Sequence, residues 1–261
     1  MRPTLKTRIL LAAVLALPIT SAAQTTTQKT GHFHQQSRSI PSVRAARFVK
    51  AFVVDDRLSV LRRGADVRSQ VVQRLRLGRP VYIIGSSSDV AAQPKCYRVA
   101  VTRRTRGWIH NSAVAIPGRA GEDKRLLQLA ENASDGFDRI ALCLLLTESF
   151  RSSALVPRAL LMMAAEAERV APMLSQRAAK RAATIDPRTA NASPRDYFLN
   201  DAVLDRYSKL RISFDFDEGA GQYVYDGWAY RAIIKRFPAS EAAKIARERL
   251  ELAEQQLARC E

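Results

Sequence analysis

The chain has 261 residues with 42 Lys and Arg against 25 Asp and Glu, a formal net charge of +17. That length exceeds one typical domain and suffices for two modest cores, while three cysteines are too few for a disulfide-built scaffold. The charge is uneven: Gln24 to Ala120 holds 18 cations against Asp55, Asp56, Asp66 and Asp89, whereas Gly121 to Glu261 holds 21 of each sign, so the basic character belongs to the first half.

Arg2, Lys6 and Arg8 make a basic start, Ile9 to Thr20 an apolar stretch, and Ser21-Ala22-Ala23 a small-residue cleavage site, so residues 1–23 are expected to be a cleavable signal peptide. A membrane anchor would need about 20 apolar residues, and Pro18, Thr20 and Ser21 end this run early. Gln24 stands after the cut in place of a lipid-accepting cysteine. No later segment is apolar enough to span a bilayer, so no transmembrane segment is expected and the mature 238 residues (261 minus 23) should be soluble in the periplasm or outside the cell. Residues 24–45 are rich in Thr, Gln, Ser and Arg without apolar periodicity and are expected to be a disordered leader. The His32-x-His34 pair within it lacks the further ligands a metal needs.

From Arg47 to Pro117 short runs of β-branched and aromatic residues alternate with turn signals. Strands are expected over 48–54, 58–61, 71–75, 81–85, 97–102 and 107–110, with Gly78-Arg79-Pro80 and Arg106-Gly107 as punctuation and 86–94 as the longest loop. Such short, numerous strands suit a small barrel. Leu58-Ser59-Val60-Leu61-Arg62, then Val71 to Gly78, Val81-Tyr82-Ile83-Ile84-Gly85, Cys96-Tyr97-Arg98-Val99 and Gly107-Trp108-Ile109 resemble in order the bacterial SH3-like domain attached to many cell-wall proteins. In that family the first stretch usually reads leucine-asparagine-valine-arginine, and a tryptophan usually stands where Tyr97 is. The resemblance spans residues 46–118 and implies an SH3-like all-β barrel that holds a wall ligand.

After Gly118 the texture becomes alanine, leucine, arginine and glutamate at helical spacing. One helix opens around Leu126, a second is capped by Asp135 or Asp138, and a long third runs from Val156 to Ala183, with Pro157 in its first turn and Pro172 expected to kink it. A linker over 184–193, a helix over 196–210, an acidic loop over 214–221 and helices over 223–237 and 240–258 complete the expectation. Phe150-Arg-Ser-Ser153 with Ala159, and Phe237-Pro-Ala-Ser240 with Ala246, share spacing: a corner opened by phenylalanine, a serine cap, then an alanine-rich helix. These corners resemble tetratricopeptide-like units, although 87 residues separate the copies, so any array over 122–261 is irregular; a plain helical bundle is the competing reading. The expected fold class is therefore α+β, multi-domain: a small SH3-like all-β barrel followed by an all-α helical-repeat domain.

Chemistry is sparse. A cysteine peptidase needs a histidine base, but His32 and His34 are in the leader, His110 ends a strand and Cys143 sits among Leu142 and Leu144 to Leu146. The acids Asp215, Asp217, Glu218 and Asp226 are dense enough to consider for a glycosidase or for calcium, yet they lack EF-hand spacing. No enzyme, cofactor or metal is expected. Export places Cys143 and Cys260 where a disulfide could form, and both lie in the helical half. The basic module points to peptidoglycan or another anionic envelope polymer, with nucleic acid discounted because an exported protein rarely meets it and no aromatic-interleaved motif appears. Candidate ligand contacts are Tyr82, Tyr97 and Trp108 with Arg98, Arg103, Arg104 and Arg106, core burial being the competing placement for each aromatic. The helices would engage a protein partner. The alternative is an accessory or regulatory subunit of an envelope enzyme or secretion complex, its barrel a structural cap.

Overall fold

A computed structural model describes residues 48–87, 95–184, 202–217 and 219–258. The expected signal peptide, leader, His32-His34 pair, 184–193 linker and Cys260 lie outside these residues, apart from Thr184, as do most of the 86–94 loop and the start of the 196–210 helix. No helix among the described residues is long and apolar enough to cross a membrane.

The first half is an antiparallel sheet of β1 (Val49–Val53), β2 (Val60–Arg62), β3 (Val71–Arg74), β4 (Pro80–Ser86), β5 (Cys96–Ala100), β6 (Arg106–His110) and β7 (Val114–Ala115), in the order β3-β2-β6-β5-β4-β1-β7. Period-2 alternation sends one set of side chains to a shared interior: Ala51 and Val53, Leu61, Val81, Tyr97 and Val99, and Ile109, all buried. Gly107 is required where β2 crosses β6, since a Cβ there would stand 2.6 Å from the carbonyl oxygen of Arg62 and 2.7 Å from Leu61. A 3-10 turn over Asn111–Ala113 delivers the chain into β7.

The second half comprises α1 (Glu122–Glu131), α2 (Gly136–Ser149), α3 (Val156–Ala182), α4 (Ala202–Ser208), the hairpin β8 (Phe214–Asp217) and β9 (Gln222–Tyr225), then α5 (Trp228–Arg236) and α6 (Glu241–Ala258). Asp135 caps α2 by accepting the Phe137 N–H at 2.9 Å. The long helix α3 continues through Pro172. The hairpin corrects two expectations. Residues 214–221 are not a plain loop, and the following helix begins at 228, because Phe214-Asp-Phe-Asp217 and Gln222-Tyr-Val-Tyr225 alternate with period 2 and pair in register from Phe214↔Tyr225 to Asp217↔Gln222.

The corners after α2 and α5 are alike. Phe150 (φ −122, ψ 49) and Phe237 (φ −136, ψ 52) end their helices in the same backbone region. Each also accepts the N–H of the serine three residues on, at 2.9 Å for Ser153 and 3.0 Å for Ser240. Ala159 and Ala246 are fully buried, as close helix approach requires.

Sheet and helices share packing. Val54 and Ala115 belong to the helical core, and Phe52 and Leu77 pack against it. Arg125 of α1 donates to the carbonyls of Ser112 at 3.1 Å and Val114 at 2.6 Å while pairing with Glu122, which clips the first helix to the end of the sheet.

Candidate functional site

The central strands β4, β5 and β6 turn Tyr82 and Ile84, Arg98 and Ala100, and Arg106 and Trp108 to the face opposite the sheet's interior, because their neighbours Val81, Val99 and Ile109 point inward. Registers set these residues in two rows. Lys50, Tyr82, Ala100 and Arg106 face one another across β1, β4, β5 and β6. Gly85, Arg98, Trp108 and Arg62 do so across β4, β5, β6 and β2, after a bulge between Ile83 and Gly85.

Ala100 is the small member of its row, and a groove of about 590 Å³ opens over it. Phe48, Tyr82 and Ile84 line its apolar side, and Arg98, Arg103 and Arg106 supply guanidinium groups. Phe48 is 65% and Tyr82 44% exposed, so neither ring is committed to a core. The β5–β6 turn holds Arg103 in place: Val101 N–H donates to the Thr105 carbonyl at 2.9 Å, and Thr102 Oγ1 accepts the N–H of Thr105 at 2.9 Å and of Arg104 at 3.2 Å. Arg104 is exposed at this tip and does not line the groove.

No ion pair engages Arg98, Arg103, Arg104 or Arg106 among the described residues. Asp55 accepts the N–H of Arg57 at 2.8 Å, and Asp66 that of Arg68 at 2.7 Å, so both carboxylates serve turns of their own backbone. Among the described residues, therefore, no carboxylate neutralises the groove's arginines. No family model, curated protein or solved structure matches this chain. What the groove can do follows from its side chains: guanidinium forks suit carboxylate or phosphate oxygens, and an exposed ring suits an apolar or C–H face.

The remaining candidates fall elsewhere. Tyr97 has the opposite parity to Arg98, so it lies in the interior, 7% exposed, and its hydroxyl accepts from Arg119 Nη1 at 2.8 Å. It fixes the chain leaving the sheet and does not line the groove. Trp108 is half-buried on the outer face but lines a separate hollow of about 130 Å³ with Arg62 and His110. His110 Nδ1 accepts the Ser112 N–H at 3.3 Å and caps the 3-10 turn. Cys143 is fully buried, and burial pushes its thiol up to about 12, while Cys260, its expected disulfide partner, lies outside the described residues.

The acids of the hairpin line a cavity of about 240 Å³ with Glu168 and Arg249. Asp226 accepts the Trp228 N–H at 3.0 Å and pairs with Arg231 at 3.2 Å, and Asp217 accepts the Ala220 N–H at 3.1 Å, so these carboxylates cap a helix and a turn. No cluster of His, Cys, Asp or Glu fit to hold a metal occurs among the described residues. Phe48 and Ile84 are groove residues that composition alone does not single out. Their signal is positional: Phe48 precedes β1, which pairs with Tyr82's strand, and Ile84 stands two residues after Tyr82 on that strand.

Proposed function

We propose that this is a non-catalytic exported envelope protein whose sheet holds peptidoglycan or another anionic envelope polymer, while its helices engage a protein partner. The observation that carries the reading is the groove over Ala100, where three guanidinium groups with no carboxylate partner among the described residues face the exposed rings of Phe48 and Tyr82. The run of short antiparallel strands and the Gly107-Trp108-Ile109 motif support the reading of an SH3-like barrel, and the matched corners at Phe150 and Phe237 support that of tetratricopeptide-like units.

A pull-down of the purified protein with intact peptidoglycan sacculi over a salt series tests this. Capture is expected at low ionic strength and should fall as the screening length shortens from about 10 Å at 0.1 M to about 3 Å at 1 M. Absence of capture at low salt would remove the wall-ligand reading. The second reading, an accessory subunit with the sheet as a structural cap, is favoured by the Arg125 clip and the shared packing of Val54 and Ala115. It holds if Arg98→Ala with Arg106→Ala leaves capture unchanged.

A further inference from the structure

The groove over Ala100 has two unlike walls, and that asymmetry restricts its occupant further than charge does. Strands lie about 4.8 Å apart, so Tyr82 on β4 and Arg106 on β6, with Ala100 between them, rise from the sheet roughly 10 Å apart. Side chains stand nearly perpendicular to a sheet, which sets an aromatic and aliphatic wall of Phe48, Tyr82 and Ile84 facing a guanidinium wall of Arg103 and Arg106, with Arg98 beside them. Resting on the reading of this face as an anion site, we propose that the groove takes a sugar ring bearing a carboxylate or phosphate, its C–H face against Tyr82 and its anionic group held by the arginines.

Each simpler occupant leaves part of the groove unused. A ring-free polyanion satisfies the arginines and leaves Phe48 and Tyr82 in water at 65% and 44% exposure. A neutral sugar covers the rings and leaves three guanidinium groups that no carboxylate among the described residues pairs. A bilayer surface is flat and would meet the rim of a concavity, not its floor at Ala100. An acidic sugar matches both walls at once, because its ring is apolar on its faces and charged at its edge.

Isothermal titration with matched probes tests the assignment. Trigalacturonate carries three carboxylates on rings and tricarballylate three without them; glucose 6-phosphate stands in the same relation to inorganic phosphate. The ring-bearing member of at least one pair is expected to bind about five- to tenfold more tightly, the increment of a single aromatic contact. The pair showing the increment identifies the preferred anion. Tyr82→Ala should abolish that increment and leave the ring-free anion unchanged, whereas Arg106→Ala should weaken every anion. Tyr82 is exposed, and an unchanged melting temperature verifies that the variant folds. Equal binding of both members of each pair, an increment that survives Tyr82→Ala, or maltotriose binding as well as trigalacturonate overturns the proposal and leaves the anion-site reading standing in the first two cases. Failure of every anion to bind the wild-type protein removes both.

Discussion

Glu166 shows how a single buried charge is held. It is 4% exposed on α3, and its carboxylate accepts from Arg139 Nη1 at 2.6 Å and from Arg169. Arg139 also donates to the carbonyls of Ala130 at 3.2 Å and Ala133 at 2.6 Å, so one cluster ties the end of α1 to α2 and α3. Gly136 makes room, since a Cβ there would meet Glu166 Oε1 at 2.0 Å. Burial raises the Glu166 carboxyl, but the hydrogen bonds from Arg169 and Arg139 outweigh it and hold it below the usual carboxylate value. Glu166→Ala would take the shared acceptor from half-buried Arg139 and exposed Arg169 and should cost about 1–3 kcal/mol in urea unfolding at pH 7. A depressed folded pKa means the unfolded chain binds more protons, so this contribution is complete above the ordinary glutamate value of about 4.3 and fades as pH falls below it. The variant's deficit should therefore shrink in acid; a constant deficit would show that packing alone was lost. None of this is visible in sequence, where Glu166 is one acid among many in an alanine-rich helix. Tyr97 and Arg98 were different: their alternation was present in Cys96-Tyr97-Arg98-Val99, and parity assigns one to the interior and the other to the groove.

At the scale of elements, the sheet was the more legible half. Each of the six expected strand segments overlaps an observed strand, because β-branched runs between glycine and proline turns specify local geometry directly. The β8–β9 hairpin was hidden because acids and Gly221 read as a loop, and because Tyr223 to Tyr225 lead straight into helical spacing; its stability comes from tertiary partners, such as the Tyr223 N–H donating to Ser175 Oγ of α3 at 2.8 Å. The groove was legible as residue types and not as a place: Tyr82, Arg98, Arg103 and Arg106 come from three strands and a turn, and only register brings Ala100 between them. The start of α2 carries an opposite electrostatic balance to Glu166. Asp138 lies in a cleft of about 460 Å³ with Asp55, Asp56 and Leu129. Burial, then the charges of Asp135 and Asp56, raise its carboxyl despite Arg206. A raised folded pKa means that ionised Asp138 destabilises the fold at neutral pH and that the penalty disappears as the pH falls and the group takes up its proton. Asp138→Asn should therefore raise the melting temperature at pH 7 by about 1–2 °C, with the gain vanishing in acid. A loss at pH 7 would mean that the helix N-terminus values the charge more than its acidic neighbours penalise it.

For the whole molecule the question is whether the basic sheet and the near-neutral helices unfold together. Their charge balance and texture divide sharply at about Gly121, which is why the sequence reads as two modules. The packing crosses that division: Val54 and Ala115 sit in the helical core, and Arg125 holds two carbonyls at the end of the sheet. The two tryptophans report on either side, Trp108 on β6 and Trp228 at the start of α5. Single-tryptophan variants Trp108→Phe and Trp228→Phe, unfolded in urea and followed by fluorescence, should give coincident midpoints if the shared packing couples the halves, as two-state behaviour requires. Arg125→Ala removes hydrogen bonds worth about 1–3 kcal/mol and should separate the midpoints, lowering one more than the other. Two transitions in the otherwise wild-type background would mean that the division by charge is also a division in stability. The sheet could then bind its ligand while the helices rearranged around a partner. Coincident transitions would instead make polymer binding on the sheet raise the stability of the helices as well, because a ligand that binds the folded state of a two-state protein stabilises all of it. The same fluorescence titration, repeated with trigalacturonate present, should then raise both midpoints equally.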